Sequence, residues 1–456
     1  MLLSGTGAHG AYHAGALRAL QEAGVKIDLM AGHGIGAAGA AVAAIDGQGR
    51  LWEPDGLWAD PQVSALYGWT SLVRQAGWLV LAIAVVLVGP VALLVASSIV
   101  AYSVGFAAET IGAGGVITAY ADWLRAVLGG PFFSTTVPRL VTILVVVLGV
   151  AIVAGAWRER RGAPRSRRAD GPAWWRIVGA PIDANLAQRH VTEAIWGLIR
   201  GAAAAPLPAL DAVARRYTDV LCENLGQPGF RELVLVATDL DGRRDLVGAL
   251  LTEPYRARFL AAHADADRRN DVLDLAGAGR ERTMDLLAGA LTPPVVCAPH
   301  RATFAADSLW RGETHRLCDR PGSVNRLLEA VAAAGVSQVI VVTAVAPAEG
   351  PHQLGAAGVD LRSRVGAFVA AAETAALRDA LEVARLRFDA VYLVRPSRSP
   401  VGPFDMVGAY DRASDRRQGL EELTARGYED AYRQFIEPVV GASGDVLGDL
   451  HPDDRV

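Results

Sequence analysis

Val25-Lys26-Ile27-Asp28-Leu29-Met30-Ala31-Gly32-His33-Gly34-Ile35-Gly36 decides how this chain is read. The first seven residues read as a short buried strand, and the Ala-rich run from Ala37 to Ala44 reads as a helix. A strand, a Gly-flanked turn and a helix are the setting of a nucleophile elbow, G-x-S-x-G, whose sharp turn lifts a serine hydroxyl above the sheet. Gly32 and Gly36 hold the flanking positions, where the helix passes close to the strand. The middle position holds Gly34, so the turn that presents a nucleophile is present without its oxygen.

Upstream, Leu2-Leu3-Ser4-Gly5-Thr6-Gly7-Ala8-His9-Gly10 reads as a very short apolar strand running into a Gly-rich loop. A helical pattern follows, with Tyr12, Ala16, Leu17 and Leu20 on one face, and Gly24 closes it. Backbone N–H groups at such a loop and helix start cradle an oxyanion or a phosphate.

In this order and spacing the motifs resemble those of the patatin-like phospholipases. That family pairs a Gly-rich oxyanion loop, G-G-G-x-[R/K]-G, with a serine elbow and a distant Asp in a D-G-[G/A] motif. The resemblance runs over roughly residues 1–60 and 230–440. It implies an α/β fold, a three-layer sandwich around a mostly parallel sheet. It assigns the oxyanion site to Gly5, Thr6, Gly7, His9 and Gly10, and the elbow to Gly32, Gly34 and Gly36. It places the dyad carboxylate at Asp307 in Phe304-Ala305-Ala306-Asp307-Ser308-Leu309-Trp310, after Ala288-Gly289-Ala290-Leu291-Thr292-Pro293 and before the strand Val339 to Thr343. The departures are Gly34 for the nucleophile, Ser308 for the Gly after the Asp, Thr6 for a loop Gly and His9 for the loop cation. Asp241-Gly242, between Leu240 and Arg243, reads as a turn and not as the dyad motif.

Composition adds a membrane part. Of 456 residues, 52% are hydrophobic and 20% charged, which is apolar for a soluble protein. A net charge of −4 leaves no nucleic-acid footprint. No charged residue falls between Arg74 and Glu109, or between Arg139 and Arg158. Each stretch meets the ~17–25 residues needed to span a bilayer, and Pro90 is expected to kink the first. The Arg cluster after the second, Arg158 to Arg168, puts that end and residues 1–74 in the cytoplasm. The segment from Glu109 to Pro138 is then an outward-facing, compact connection. Trp174-Trp175 reads as an interfacial anchor or as core. The first residues already match a strand of the fold, so no secretory signal peptide is read there.

The expected organisation is therefore the N-terminal half of the domain at 1–73, a transmembrane hairpin at 74–157, a basic linker and helical cap at 158–229, the C-terminal half at 230–440 and a flexible tail at 441–456. Within the cap, residues 183–226 read as packing helices broken at Pro206 and Pro208, with a lid as the alternative that the resemblance offers. The region from 353 to 360 is Gly-rich and reads as a loop. Cys222, Cys297 and Cys318 are too scattered for a disulfide framework or a metal site and read as small buried residues. His9, His13 and His33 cluster around the two Gly motifs in sequence, and His300 and His315 bracket Asp307, but no metal-ligand spacing joins them.

Three functions are open at this point. The chain is a membrane-anchored pseudoenzyme that binds lipid or a partner, or an active lipid acyl hydrolase in which Gly34 was engineered from Ser or another residue supplies the nucleophile. The third reading is a structural membrane interaction protein. No cofactor and no metal are expected. Membrane lipid is the expected partner, nucleic acid is not, and the oligomeric state is left open. Gly34 and Asp307 are expected side by side, and Gly34→Ser is expected to restore labelling by a serine probe if the loop and the base are intact.

Overall fold

The structure is a computed structural model that describes residues 1–112, 114–162, 179–201, 205–265, 269–306, 308–347, 360–411 and 414–441. The chain divides into two units, residues 1–68 with 182–456, and residues 69–181.

The first unit is built on a central sheet. In chain order it contains β1 (Leu2–Gly5), α1 (Gly10–Glu22), β2 (Leu29–Gly34) and α2 (Ile35–Ala44) before the insertion. The strands after the insertion are β3 (Glu232–Asp239), β4 (Arg244–Leu250), β5 (Val272–Asp274), β6 (His300–Thr303), β7 (Thr314–Cys318), β8 (Gln338–Thr343) and β9 (Ala390–Val394). The sheet order is β5-β4-β3-β2-β1-β8-β9, with β7 paired to β3 and β6 to β7. The neighbours β3–β2, β2–β1, β1–β8 and β8–β9 run parallel, while β3–β4, β3–β7 and β6–β7 are antiparallel. This is the mostly parallel α/β sheet that the sequence implies.

The central strand explains the shortness of its sequence signal. Every residue of β1 is buried, because helices cover both faces of a parallel sheet and leave no polar side. One face is closed by α10 (Ser323–Ala333) and α11 (Leu361–Ala384). There Leu327, Val331, Leu377 and Ala380 pack with Leu2, Ala31, Val234 and Val341. Full burial of each such Leu or Val contributes about 1.5–3 kcal/mol. On the other face all of α2 is buried, as its uniformly apolar sequence requires. Alongside it α1 packs against α12 (Leu420–Ala431), where Tyr12 donates a hydrogen bond to Asp430 at 3.0 Å.

One expectation about a boundary changes. The strand before the elbow starts at Leu29, not Val25, and runs on through Gly34, because Gly34 pairs in register with Gly5 of β1. Helices α6 (Asn185–Ile199), α7 (Leu210–Asn224), α8 (Tyr255–Ala262) and α9 (Thr283–Ala290) belong to the first unit.

The second unit consists of α3 (Ser71–Thr110), α4 (Val116–Gly129) and α5 (Val137–Gly162). Ser71–Thr110 and Val116–Gly155 are two stretches long and apolar enough to cross a membrane by length and composition. Helix α3 continues through Pro90 without a break. The connection expected at 109–138 is mostly helical, since it contains α4. Tyr120 of α4 hydrogen-bonds both Ser97 and Ser98 of α3 at 2.8 Å and stacks on Trp123. The insertion leaves and returns through one point. Asp183 N–H donates to the Gly68 carbonyl and Thr70 N–H to the Pro181 carbonyl, each at 2.9 Å. Trp174, Trp175, the arginines from 165 to 168, residues 353–359 and the tail from 442 lie outside the described residues.

Candidate active site

Gly34 ends β2 and caps the N-terminus of α2 with φ 57° and ψ −138°. This sparsely populated backbone conformation is the strained turn that an elbow needs. Its register partner, Gly5, ends β1 where the Gly-rich loop begins. Elbow and loop therefore meet at the carboxyl ends of adjacent parallel strands, where open α/β sheets place their ligands.

The carboxylate brought to Gly34 is Asp319. An ideal Cβ built on Gly34 lies 2.9 Å from Asp319 Oδ2 and 2.2 Å from the Gly5 carbonyl oxygen. Asp319 follows β7 directly, and its backbone N–H is fixed on the Thr292 carbonyl at 2.7 Å. Asp307, the residue chosen from sequence, lies outside the described residues.

Around Asp319 the polar side chains are almost fully buried. His33 Nδ1 stands 3.3 Å from Asp319 Oδ1, and its Nε2 is 2.8 Å from Ser4 Oγ. Burial disfavours the imidazolium of His33, but the hydrogen bond and charge of Asp319 outweigh it and raise its pKa above the usual histidine range. Thr6 Oγ1 is 2.6 Å from Glu373 Oε1 and 3.2 Å from Asp319 Oδ2. A hydroxyl has one proton to donate, and the shorter contact gives it to Glu373. Glu373 comes from the middle of α11, with its Oε2 3.6 Å from His9 Nδ1. Its burial favours the neutral acid, yet His9 and Thr6 together hold the carboxyl below its ordinary range. The site thus joins Ser4, Thr6, His9, His33, Asp319 and Glu373 around a glycine.

His13 lies behind this group and donates from its Nε2 to the Ser4 carbonyl at 3.1 Å. Burial, then the charge of His9, push its pKa down to about 3. A histidine depressed below its unfolded value near 6.5 stays neutral in the fold while the unfolded chain takes up a proton. Its contribution to stability is intact above the unfolded pKa and is lost as pH falls towards 3. Between pH 6.5 and 5 this amounts to about 2 kcal/mol. His33 acts in the opposite direction, stabilising below its unfolded pKa and losing that contribution as pH rises through its folded value. Denaturant unfolding of the full chain in detergent at pH 7 and pH 5 is expected to show a smaller acid loss in His13→Leu than in the unmodified protein. An unchanged difference between the two pH values would remove His13 as its source.

The other sequence candidates are structural. His300 pairs with Asp285 at 2.9 Å and His315 with Asp239 at 2.7 Å. Asp241 sits in the turn between β3 and β4 and accepts hydrogen bonds from Arg316. Cys297 and Cys318 are buried, and burial raises both thiols, Cys318 to about 12. Among the described residues no group of three or more His, Cys, Asp or Glu is arranged to hold a metal ion.

Two residues of this buried group escaped the sequence reading. Asp319 is followed by Arg320, with Gly only at 322, so no D-G pair marks it. Its usable signal is an Asp at the end of a strand immediately before a helix. Glu373 lies on the buried stripe of α11 with Gly366, Val369, Leu377, Ala380 and Ala384. An acid at a core position of a helical pattern is the signal there.

Residues 1–207 match the family model described as patatin-like phospholipase. Asp319 and Glu373 lie beyond the matched residues. No curated protein matches the chain. A Gly-rich loop and a strained elbow at the ends of two parallel strands lie inside the matched stretch, and over these residues the chain is similar to the patatin-like phospholipases.

Proposed function

We propose that this protein is a membrane-anchored patatin-like protein that binds lipid or a partner and does not hydrolyse through an elbow serine. The observation that carries the reading is Gly34, which keeps the elbow backbone and offers no oxygen to acylate. The surroundings support it, because the Gly5 carbonyl and Asp319 take up the space where a side chain would start. Unit 2 supplies the anchor. Both its ends join the same first unit, so a membrane insertion crosses an even number of times, and the Arg-rich segment after α5 favours the cytoplasmic side.

The full chain in phospholipid vesicles tests both parts. It is expected to release no fatty acid above the lipid-only control and to stay with the membrane through alkaline carbonate. Release into the carbonate supernatant would remove the anchor, and fatty-acid release would remove the non-hydrolytic reading.

One contact favours a second reading, in which another residue supplies the nucleophile. Ser4, His33 and Asp319 form a hydroxyl–imidazole–carboxylate chain with links of 2.8 and 3.3 Å, the order of groups in a catalytic triad. Ser4 lies on the central strand at 3% exposure, which argues against acylation there. Fluorophosphonate labelling that disappears in Ser4→Ala would establish this reading over the first.

A further inference from the structure

The segment 399–406 lies directly on the Gly-rich loop. The Ala8 N–H, an amide of that loop, donates to the Pro403 carbonyl at 2.9 Å. A Cβ on Gly7, whose φ is +58°, would fall 1.9 Å from the same oxygen. Glycine at 7 is therefore what lets the segment come this close. A peptide carbonyl thus occupies a donor of the cradle that in an acyl-transfer site is aimed at a developing oxyanion. Val401, Phe404 and Met406 are buried, so the segment is packed down.

Its anchor is Tyr67. The Phe404 ring meets the Tyr67 ring edge-on at 6.0 Å between centroids. The Tyr67 carbonyl accepts a hydrogen bond from Arg362 at the start of α11 at 2.8 Å, and the Tyr67 hydroxyl donates to the Leu291 carbonyl at 2.9 Å. Tyr67 holds φ +53°, a conformation costly for an aromatic residue and kept only when its surroundings over-determine it. It stands two residues before Trp69, where the second unit begins. Beside the segment lies a cleft of about 1030 Å³, lined by His9, Gly366, Ala370, Thr374, Pro403 and Phe404.

We infer that residues 399–406 are an internal latch that closes the anion cradle of the Gly-rich loop and is held shut through Tyr67. The Pro403 carbonyl plays the part of a bound ligand. Lifting the segment frees the Ala8 amide and opens the cleft onto the loop, so an acyl or other anionic group reaches the cradle only when the latch is off. The inference concerns access to the loop and holds whether or not any hydrolysis occurs.

Hydrogen–deuterium exchange of the full chain in detergent tests it, read on peptides covering residues 5–12 and 399–408. Phe404→Ala is expected to speed exchange in both peptides together, on the order of tenfold, while β8 stays protected. Tyr67→Ala is expected to do the same, and the double variant to add little, since both act on one latch. Gly7→Ala pushes from the other side and is expected to free 399–408. If Phe404→Ala frees 399–408 and leaves 5–12 unchanged, the segment is a surface loop and the latch is overturned. If Tyr67→Ala leaves both peptides protected, Tyr67 is not the anchor. A variant that also loses β8 protection has unfolded, and Phe404→Ala then decides the matter.

Discussion

Gly34→Ser is expected to leave the protein unlabelled by a fluorophosphonate probe. The sequence alone points the other way, since the change restores G-x-S-x-G. The geometry reverses the expectation. The added Cβ lies 2.2 Å from the Gly5 carbonyl oxygen, a backbone atom at the last pair of the β1–β2 register, and 2.9 Å from Asp319 Oδ2. Neither is the free end of a flexible side chain that swings aside at little cost. The φ of +57° adds the strain of a non-glycine residue in that region. Strain and overpacking together are expected to cost about 2–4 kcal/mol. Losing the nucleophile of a catalytic dyad removes a rate factor on the order of 10³–10⁶, and this variant should recover none of it. Intact-mass measurement after probe treatment, paired with a thermal melt, checks the expectation. Full labelling with an unchanged melt would show that the loop yields readily and that the site retains its shape for a serine.

Asp319→Ala is expected to be the costliest truncation in the site, at roughly 3–5 kcal/mol, because it leaves the Nδ1 of His33 without its carboxylate in the interior. The residue touches His33 and Thr6 and stands against Gly34. Asp319→Asn keeps the shape and should cost less, with the pH dependence from His33 removed. The matching change at Asp307 is the control. If Asp307→Ala destabilised the protein more than Asp319→Ala, the carboxylate paired with the elbow would be misassigned. Unfolding midpoints at pH 7 in detergent decide between them.

Much of the fold was legible because the apolar runs of β1, β3 and β8 and the Gly motifs between strands and helices are local signals. The elbow was legible for the same reason. The site's second half was not, because it is assembled from afar. Asp319 reaches His33 across 286 residues and Glu373 reaches Thr6 across 367, with no spacing rule to announce either. His13 and His33 both bond Ser4 close by in sequence, while the carboxylates that face His9 and His33 come from the far end of the chain. Helix α4 was missed because Gly112, Gly114, Gly115 and Gly130 with Pro131 punctuate the stretch at both ends, so it reads as a loop.

The paired contacts Gly68–Asp183 and Thr70–Pro181 have a consequence for how such a chain is put together. The parent domain experiences the whole insertion as a single surface turn. Its sheet order and its registers place no demand on the length or composition of what lies between. Loop-closure entropy grows only logarithmically with the inserted length, so a hundred residues cost the domain little more than a dozen. The insertion is a graft on a unit that carries its own sheet and core, free to vary in length and composition while that body stays the same.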